Sequence, residues 1–119
     1  MVRVLVVDDQ ETYRRAMIEV VAAADGFALA GEADSGDAAL SAADELSPAL
    51  VLVDKRMSGM NGLETTRRLT ERHPGLVVVL VSVEDPDPES ARSAGAAAAV
   101  HKRDLSPELV QEIWEEHGA

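Results

Sequence analysis

Three carboxylates follow the ends of apolar runs in the sequence. Asp8 and Asp9 come directly after the run Val2–Val7, and Asp54 follows the run Leu50–Val53. A single aspartate after a strand is usually a turn residue or a helix cap. Three carboxylates brought together would repel one another and lose solvation, which costs stability unless a cation is present. Carboxylate oxygens with waters are what Mg²⁺ prefers, so a joint metal site is the first hypothesis.

A hydroxyl and an ammonium group follow two later apolar segments. Ser82 comes directly after the run Leu76–Val81, and Lys102 follows a weaker strand candidate, Ala97–Val100. If all these segments are neighbouring strands, Lys102 brings a positive charge to the edge that holds the carboxylates.

The elements that must position these side chains alternate along the sequence. Apolar runs without in–out alternation are typical of strands covered on both faces, as in a parallel sheet. Helical spacing of apolar residues separates the runs, and turn or capping residues mark the ends. The strand candidates are Val2–Val7, Phe27–Glu32, Leu50–Val53, Leu76–Val81 and Ala97–Val100. The predicted helices end before Gly26, run from Ser35 to Pro48 and from Asn61 to Pro74, cover 89–94, and begin at Ser106.

Five strands alternating with five helices predict an α/β fold with a doubly wound parallel sheet and right-handed crossovers. Ligands of such sheets bind outside the carboxyl ends of the strands. This rule places the polar residues that follow the strands at one edge of the sheet.

The length, charge and composition of the chain exclude several classes of function. The 119 residues suit one domain, and 11 Lys and Arg against 22 Asp and Glu give a formal charge of −11. Such a charge argues against direct binding of nucleic acid or of an anionic membrane. The absence of cysteine excludes a thiolate metal site and a cysteine nucleophile. We find no signal peptide or apolar stretch long enough to span a bilayer, and we expect a cytoplasmic location.

The ordered set of these residues resembles a response-regulator receiver domain. It comprises Asp8-Asp9, Asp54 at the head of the stretch 54–64, Ser82, Gly95-Ala96 and Lys102. Gly31-Glu32-Ala33 and Arg14-Arg15 resemble the branch that is usually attached to a LuxR-type helix-turn-helix. We expect Arg14 and Arg15 on a solvated helix face. The resemblance implies a flavodoxin-like sheet with strand order 2-1-3-4-5.

The resemblance also implies a metal-dependent chemistry. Asp54 would be the phosphoacceptor and form an acyl phosphate. Asp9, Asp54 and the backbone carbonyl of Arg56 would bind Mg²⁺, for which Mn²⁺ can substitute, and Asp8 would act through a water. Ser82 would donate a hydrogen bond to the phosphoryl group.

Further roles concern the phosphoryl group and the mouth of the site. Lys102 would pair with the phosphoryl oxygens. Our hypothesis is that Arg56 and Glu84 pair across the mouth and slow attack by water, while the alternative is two solvated charges.

Three positions depart from the receiver pattern. Ser58 stands where the family usually has Pro, and Lys55 where an apolar residue is common. Ala99 takes the place of the usual Tyr or Phe, so the inward turn of that ring is absent. These departures keep a second function open, a constitutive interaction or dimerisation module that is not switched by phosphate. A nucleotide-binding or flavin-binding enzyme is disfavoured, because no phosphate-binding glycine loop follows the first strand.

The resemblance implies a sensor histidine kinase as partner and an output, such as transcription. We expect residues 1–119 to be a single receiver domain without an output domain and without enzyme activity beyond its own phosphorylation and dephosphorylation. A missing helix-turn-helix domain would supply any DNA binding. A homodimer through helix 4, strand 5 and helix 5, about Pro86 to His117, is also expected. Whether the chain stands alone or was excised from a transcription factor stays open.

Overall fold

Five strands and five α-helices alternate along residues 1–118, the part of the chain that the computed structural model describes. The strands are β1 (Val2–Val7), β2 (Phe27–Ala33), β3 (Leu50–Asp54), β4 (Val77–Ser82) and β5 (Ala98–His101). The helices are α1 (Glu11–Ala23), α2 (Gly36–Leu46), α3 (Gly62–Arg72), α4 (Pro88–Ala94) and α5 (Pro107–His117). The predicted alternation is confirmed. A short 3-10 helix, Lys102–Asp104, which the sequence did not predict, lies between β5 and α5.

The sheet is parallel throughout, with strand order β2-β1-β3-β4-β5, which confirms the expected topology. The central strands β1, β3 and β4 are almost entirely apolar, and β3 and β4 are buried along their whole length. Helices cover both faces of the sheet, so neither side of these strands needs polar residues.

Alternate residues of the central strands feed two separate cores. Leu5 and Val7 pack into the core that α2, α3 and α4 cover, whereas Val4 and Val6 pack into the core beneath α1 and α5. This division follows from the two-residue period of a strand. It fixes the position of β1 and therefore of the aspartates at its end.

Side-chain caps start three of the helices where the sequence predicts them. Ser35, Asn61 and Ser106 each accept a hydrogen bond from the backbone N–H three residues later, at 3.1, 2.9 and 3.1 Å. Each cap satisfies one of the backbone donors that the first helical turn leaves free. None of the helices in residues 1–118 combines the length and the apolarity that a bilayer crossing requires.

Candidate functional site

The carboxyl edge of the sheet brings three aspartates together. Asp8 and Asp9 follow β1, and Asp54 is the last residue of the neighbouring strand β3. Each offers a carboxylate oxygen, and these oxygens all lie within 4.8 Å of one another. Asp8 is fully buried and Asp54 is 5% exposed, so both are largely removed from water. Such a cluster of hard oxygen donors fits a small divalent cation.

Lys102 lies across two of the three carboxylates. Its Nζ is 2.9 Å from Asp8 Oδ2 and 3.3 Å from Asp54 Oδ1, and its side chain is 12% exposed. The 3-10 helix at the end of β5 delivers this side chain to the site. Three carboxylates and one ammonium leave two formal negative charges, which one divalent cation would balance.

Burial raises the pKa of the Asp54 carboxyl above its ordinary value, and the nearby charge of Asp8 raises it further. The ammonium of Lys102 opposes both effects. The direction follows from the cost of holding a second negative charge in a desolvated pocket. A bond to an incoming electrophilic group or a contact with a cation therefore stabilises the Asp54 carboxylate.

Backbone amides fix the two aspartates of the β1–α1 loop. Gln10 N–H donates to Asp8 Oδ1 at 2.9 Å, and Ser58 N–H donates to Asp9 Oδ2 at 3.0 Å. A proline at position 58 would have no N–H to give. The departure from the receiver pattern at Ser58 thus adds a hydrogen bond to a candidate metal ligand.

The end of β4 brings a hydroxyl to the same edge, and an ion pair joins the loops that follow β3 and β4. Ser82, the buried last residue of β4, accepts the N–H of Glu84 at 3.0 Å. Arg56 Nε and Nη2 donate to the two carboxylate oxygens of Glu84 at 2.5 and 2.8 Å. Arg56 also borders, with Asp9 and Ser58, an open cleft of about 520 Å³. The hypothesised contact across the mouth is present, while its effect on rate stays a prediction.

Ala99 lies on β5 beside Leu80 and is half-buried. The cavity that it borders with Lys55 and Ser82 has a free volume of about 10 Å³. This is about the minimum that one water needs. The space beside Ala99 in this cavity is therefore too small to hold an aromatic ring.

Two residues of α1 contact the site, although the sequence did not predict a role for them there. The ring of Tyr13 lies under the ammonium of Lys102, with Nζ 3.6 Å from the ring centroid. Arg14 Nη1 donates to the backbone carbonyl of Asp8 at 3.0 Å, and its Nε pairs with Glu32 at 2.7 Å. The expectation of a solvated face is wrong for Arg14, whose side chain is 16% exposed, because Glu32 on β2 lies within reach.

Fold and site together define an α/β domain with an acidic pocket and a partly buried lysine at the carboxyl edge of its parallel sheet. The family model of the response regulator receiver domain matches residues 4–114, and the chain belongs to this family. Receiver domains of response regulators accept a phosphoryl group, control an output and partner with histidine kinases. The predictions of family and fold are confirmed.

Curated relatives place the chain in the NarL-like branch. It is 45% identical over 115 residues to the response regulator GacA of Pseudomonas viridiflava. This alignment covers 95% of this chain and 54% of that protein. It is 35% identical over 107 residues to the nitrate/nitrite response regulator protein NarL of Escherichia coli K12, covering 88% of this chain and 49% of the other. The chain thus spans about half the length of these relatives.

Solved structures agree with this assignment. The signal receiver domain of the putative response regulator NarL from Mycobacterium tuberculosis superposes with a TM-score of 0.87 at 29% identity, covering 99% of this chain and 98% of that one. A LuxR-family DNA-binding response regulator from Staphylococcus aureus gives a TM-score of 0.86 at 25% identity, with both chains fully covered.

Proposed function

We propose that Asp54 is the phosphoacceptor of a Mg²⁺-dependent receiver switch that a sensor histidine kinase phosphorylates. One observation carries the proposal: three carboxylates converge at the carboxyl edge with the ammonium of Lys102 held across two of them. Burial raises the pKa of the Asp54 carboxyl, and a carboxylate disfavoured in its free anionic form is stabilised by a new partner.

The metal ligands in this proposal are Asp9, Asp54 and the backbone carbonyl of Arg56, with Asp8 acting through a water. The clustered carboxylates suit Mg²⁺ by charge and by donor type, and Mn²⁺ is expected to substitute. When bound, the metal supplies positive charge that neutralises the oxygens of the transferring phosphoryl group.

The phosphoryl transfer itself is a displacement at phosphorus. An oxygen of Asp54 bonds to phosphorus, the bond from phosphorus to the donor histidine nitrogen breaks, and its electron pair stays on that nitrogen. Ser82 uses its oxygen as an acceptor for Glu84 N–H, so its own hydrogen is free to be donated to the phosphoryl group. Lys102 pairs with the new charge. The chain acts only on itself, in phosphorylation and dephosphorylation, and turns over no other substrate.

The surface that changes in this proposal is formed by α4, β5 and α5. The phosphoryl group carries a charge of about −1.5 to −2 in place of the single negative charge of the free Asp54 carboxylate, and it adds acceptor oxygens. These oxygens draw the side chains of the neighbouring loops inward and move the elements attached to them. A homodimer through this surface and control of transcription are the proposed outputs. With a formal charge of −11, the chain itself is not proposed to bind DNA, and an output domain would do so.

Intact mass spectrometry after incubation with Mg²⁺ and acetyl phosphate tests the proposal. We expect one phosphoryl adduct on the wild type and none on Asp54→Asn. Asp87→Asn, which changes an exposed aspartate outside the cluster, is the matched control and should be labelled normally. Absence of both an adduct and Mg²⁺ binding would favour a constitutive interaction module, which the small side chain of Ala99 also suits.

A further inference from the structure

The ammonium of Lys102 touches three groups at once. Two are the carboxylates of Asp8 and Asp54, and the third is the face of the Tyr13 ring, 3.6 Å from Nζ to the centroid. Tyr13 is the single tyrosine of the chain and projects from the first turns of α1. The ring and the carboxylates lie within contact of the same nitrogen, so a movement of that nitrogen changes both contacts.

A cation over an aromatic face is attracted by the quadrupole of the ring, and the attraction grows as water is excluded. The Lys102 side chain is 12% exposed, so water screens the contact weakly. Tyr13 borders an open groove of about 390 Å³ with Met17 and Leu105, and the described residues that line this groove include no acidic side chain. On this side of Lys102, the ring is therefore the group that attracts the ammonium.

We propose that Tyr13 is a positioning residue that holds Lys102 on the Asp8–Asp54 pair and loses contact with it when Asp54 acquires a phosphoryl group. The loss of contact on phosphorylation rests on the proposed function, whereas the positioning of Lys102 does not. The added charge at Asp54 draws the ammonium toward the phosphoryl oxygens and away from the ring. Tyr13 is 38% exposed, so this change reaches the surface of α1.

The Tyr13–Lys102 contact lies in a different part of the fold from position 99, where receiver domains usually carry an aromatic ring. Ala99 packs against the core beneath α2, α3 and α4, whereas Met17, beside Tyr13 in the groove, belongs to the core beneath α1 and α5. The free volume next to Ala99 is about 10 Å³ and holds no ring. Tyr13 thus gives the chain an aromatic contact to the site from the opposite face of the sheet.

The first test uses NMR of the lysine ε-CH₂ groups. The chain has two lysines, so Lys55 serves as the internal reference for Lys102. We expect the Lys102 ε-protons to be shifted upfield by the ring current in the wild type and in Tyr13→Phe, and to lie near those of Lys55 in Tyr13→Leu. A Lys102 signal in the wild type without an upfield shift would overturn the proposal.

The second test measures the rate of phosphorylation by acetyl phosphate with Mg²⁺. We expect Tyr13→Leu to be slower by roughly two- to thirtyfold, the range that a cation–π contact implies, and Tyr13→Phe to stay near the wild-type rate. Thermal unfolding checks that both variants fold. Equal rates in wild type and Tyr13→Leu would overturn the positioning role.

The third test follows the NMR signal of the Lys102 ε-protons when the protein is phosphorylated. We expect the upfield shift of these protons to decrease. An unchanged shift in fully phosphorylated protein would overturn the loss of contact. If the wild type takes no phosphoryl group on Asp54, the proposed function fails, and with it the second half of this proposal. The comparison of upfield shifts among wild type, Tyr13→Phe and Tyr13→Leu then still decides whether Tyr13 holds Lys102.

Discussion

The Arg56–Glu84 ion pair is the feature at the residue scale that we expect to lengthen the lifetime of the acyl phosphate. Two hydrogen bonds join the guanidinium to the carboxylate, and the bond from Arg56 is the main cause that lowers the pKa of Glu84. The pair is therefore ionised at neutral pH. Glu84→Ala should shorten the lifetime by about two- to fivefold, a small effect because exposed pairs are weak.

The lifetime is measured as the loss of phosphoryl mass after the donor is removed. Glu89→Ala removes an exposed acid on α4 that has no role in the pair and serves as the control. Equal lifetimes for Glu84→Ala and the wild type would show that the ion pair does not restrict water.

Asp54 gives the second prediction at this scale, a dependence of stability on pH in the metal-free protein. Burial, with the charge of Asp8, raises the folded-state pKa above the ordinary value of 3.8. Between these two values the folded state binds more protons than the unfolded chain, so the free energy of unfolding contributed by Asp54 falls as pH rises. The penalty is complete above the folded-state pKa and is absent below the ordinary value.

We therefore expect metal-free Asp54→Asn to be more stable than the wild type at pH 7 and to lose this advantage as the pH falls from the folded-state pKa of Asp54 to 3.8. Chemical denaturation of both proteins at several pH values measures the difference. A variant no more stable than the wild type at pH 7 would contradict the raised pKa.

At the scale of elements, the start of α3 packs closely against the backbone at the end of β3. A Cβ added at Gly62 would lie 2.3 Å from the backbone oxygen of Asp54 and 2.6 Å from Cα of Lys55. Both atoms belong to the backbone, so neither can turn aside as a flexible side chain would. Gly62→Ala should cost about 1–3 kcal/mol of folding free energy and displace the loop that carries Arg56.

Urea denaturation measures this cost. Ser41→Ala, on an exposed position of α2, is the control and should stay within about 0.5 kcal/mol of the wild type. A Gly62→Ala variant with wild-type stability would mean that the two elements can separate freely at this point.

The elements that the sequence predicted correctly are those with local signals. The helix caps Ser35, Asn61 and Ser106 have hydrogen-bond partners three residues away. Such a short spacing allows the start of each helix to be predicted from the sequence alone. The 3-10 helix Lys102–Asp104 carries no comparable pattern. It is a single short turn, capped by the ring nitrogen of His101, and a side-chain cap of this kind is not a standard start signal.

At the scale of the whole molecule, topology explains which parts of the site were predictable. The rule for parallel sheets brings the carboxyl ends of β1, β3 and β4 to one edge, so the meeting of Asp8, Asp9 and Asp54 follows from strand order alone. The contacts of Tyr13 and Arg14 depend on how α1 rotates against the sheet. That rotation is set by packing in the core rather than by any motif.

The charge of the whole molecule decides how metal binding must be measured. The chain carries a formal charge of −11, and three of its carboxylates converge at one edge. Mg²⁺ that binds the folded state alone adds RT ln(1 + [Mg²⁺]/Kd) to the free energy of unfolding, about 1.4 kcal/mol at ten times Kd. Any salt also relieves repulsion in so acidic a chain, because ions screen the charges. Denaturation in Mg²⁺ is therefore compared with NaCl of equal ionic strength.

We expect Mg²⁺ to stabilise the wild type beyond NaCl by about this amount, and we expect Asp9→Asn to lose most of the difference while keeping its response to NaCl. Asp9 is the half-buried member of the cluster, so its replacement by a neutral amide of similar shape should leave the fold intact. A rise that NaCl reproduces in full would mean that Mg²⁺ only screens the surface. The cluster would then lack the cation that its buried charges require, and Lys102 alone would have to hold it together.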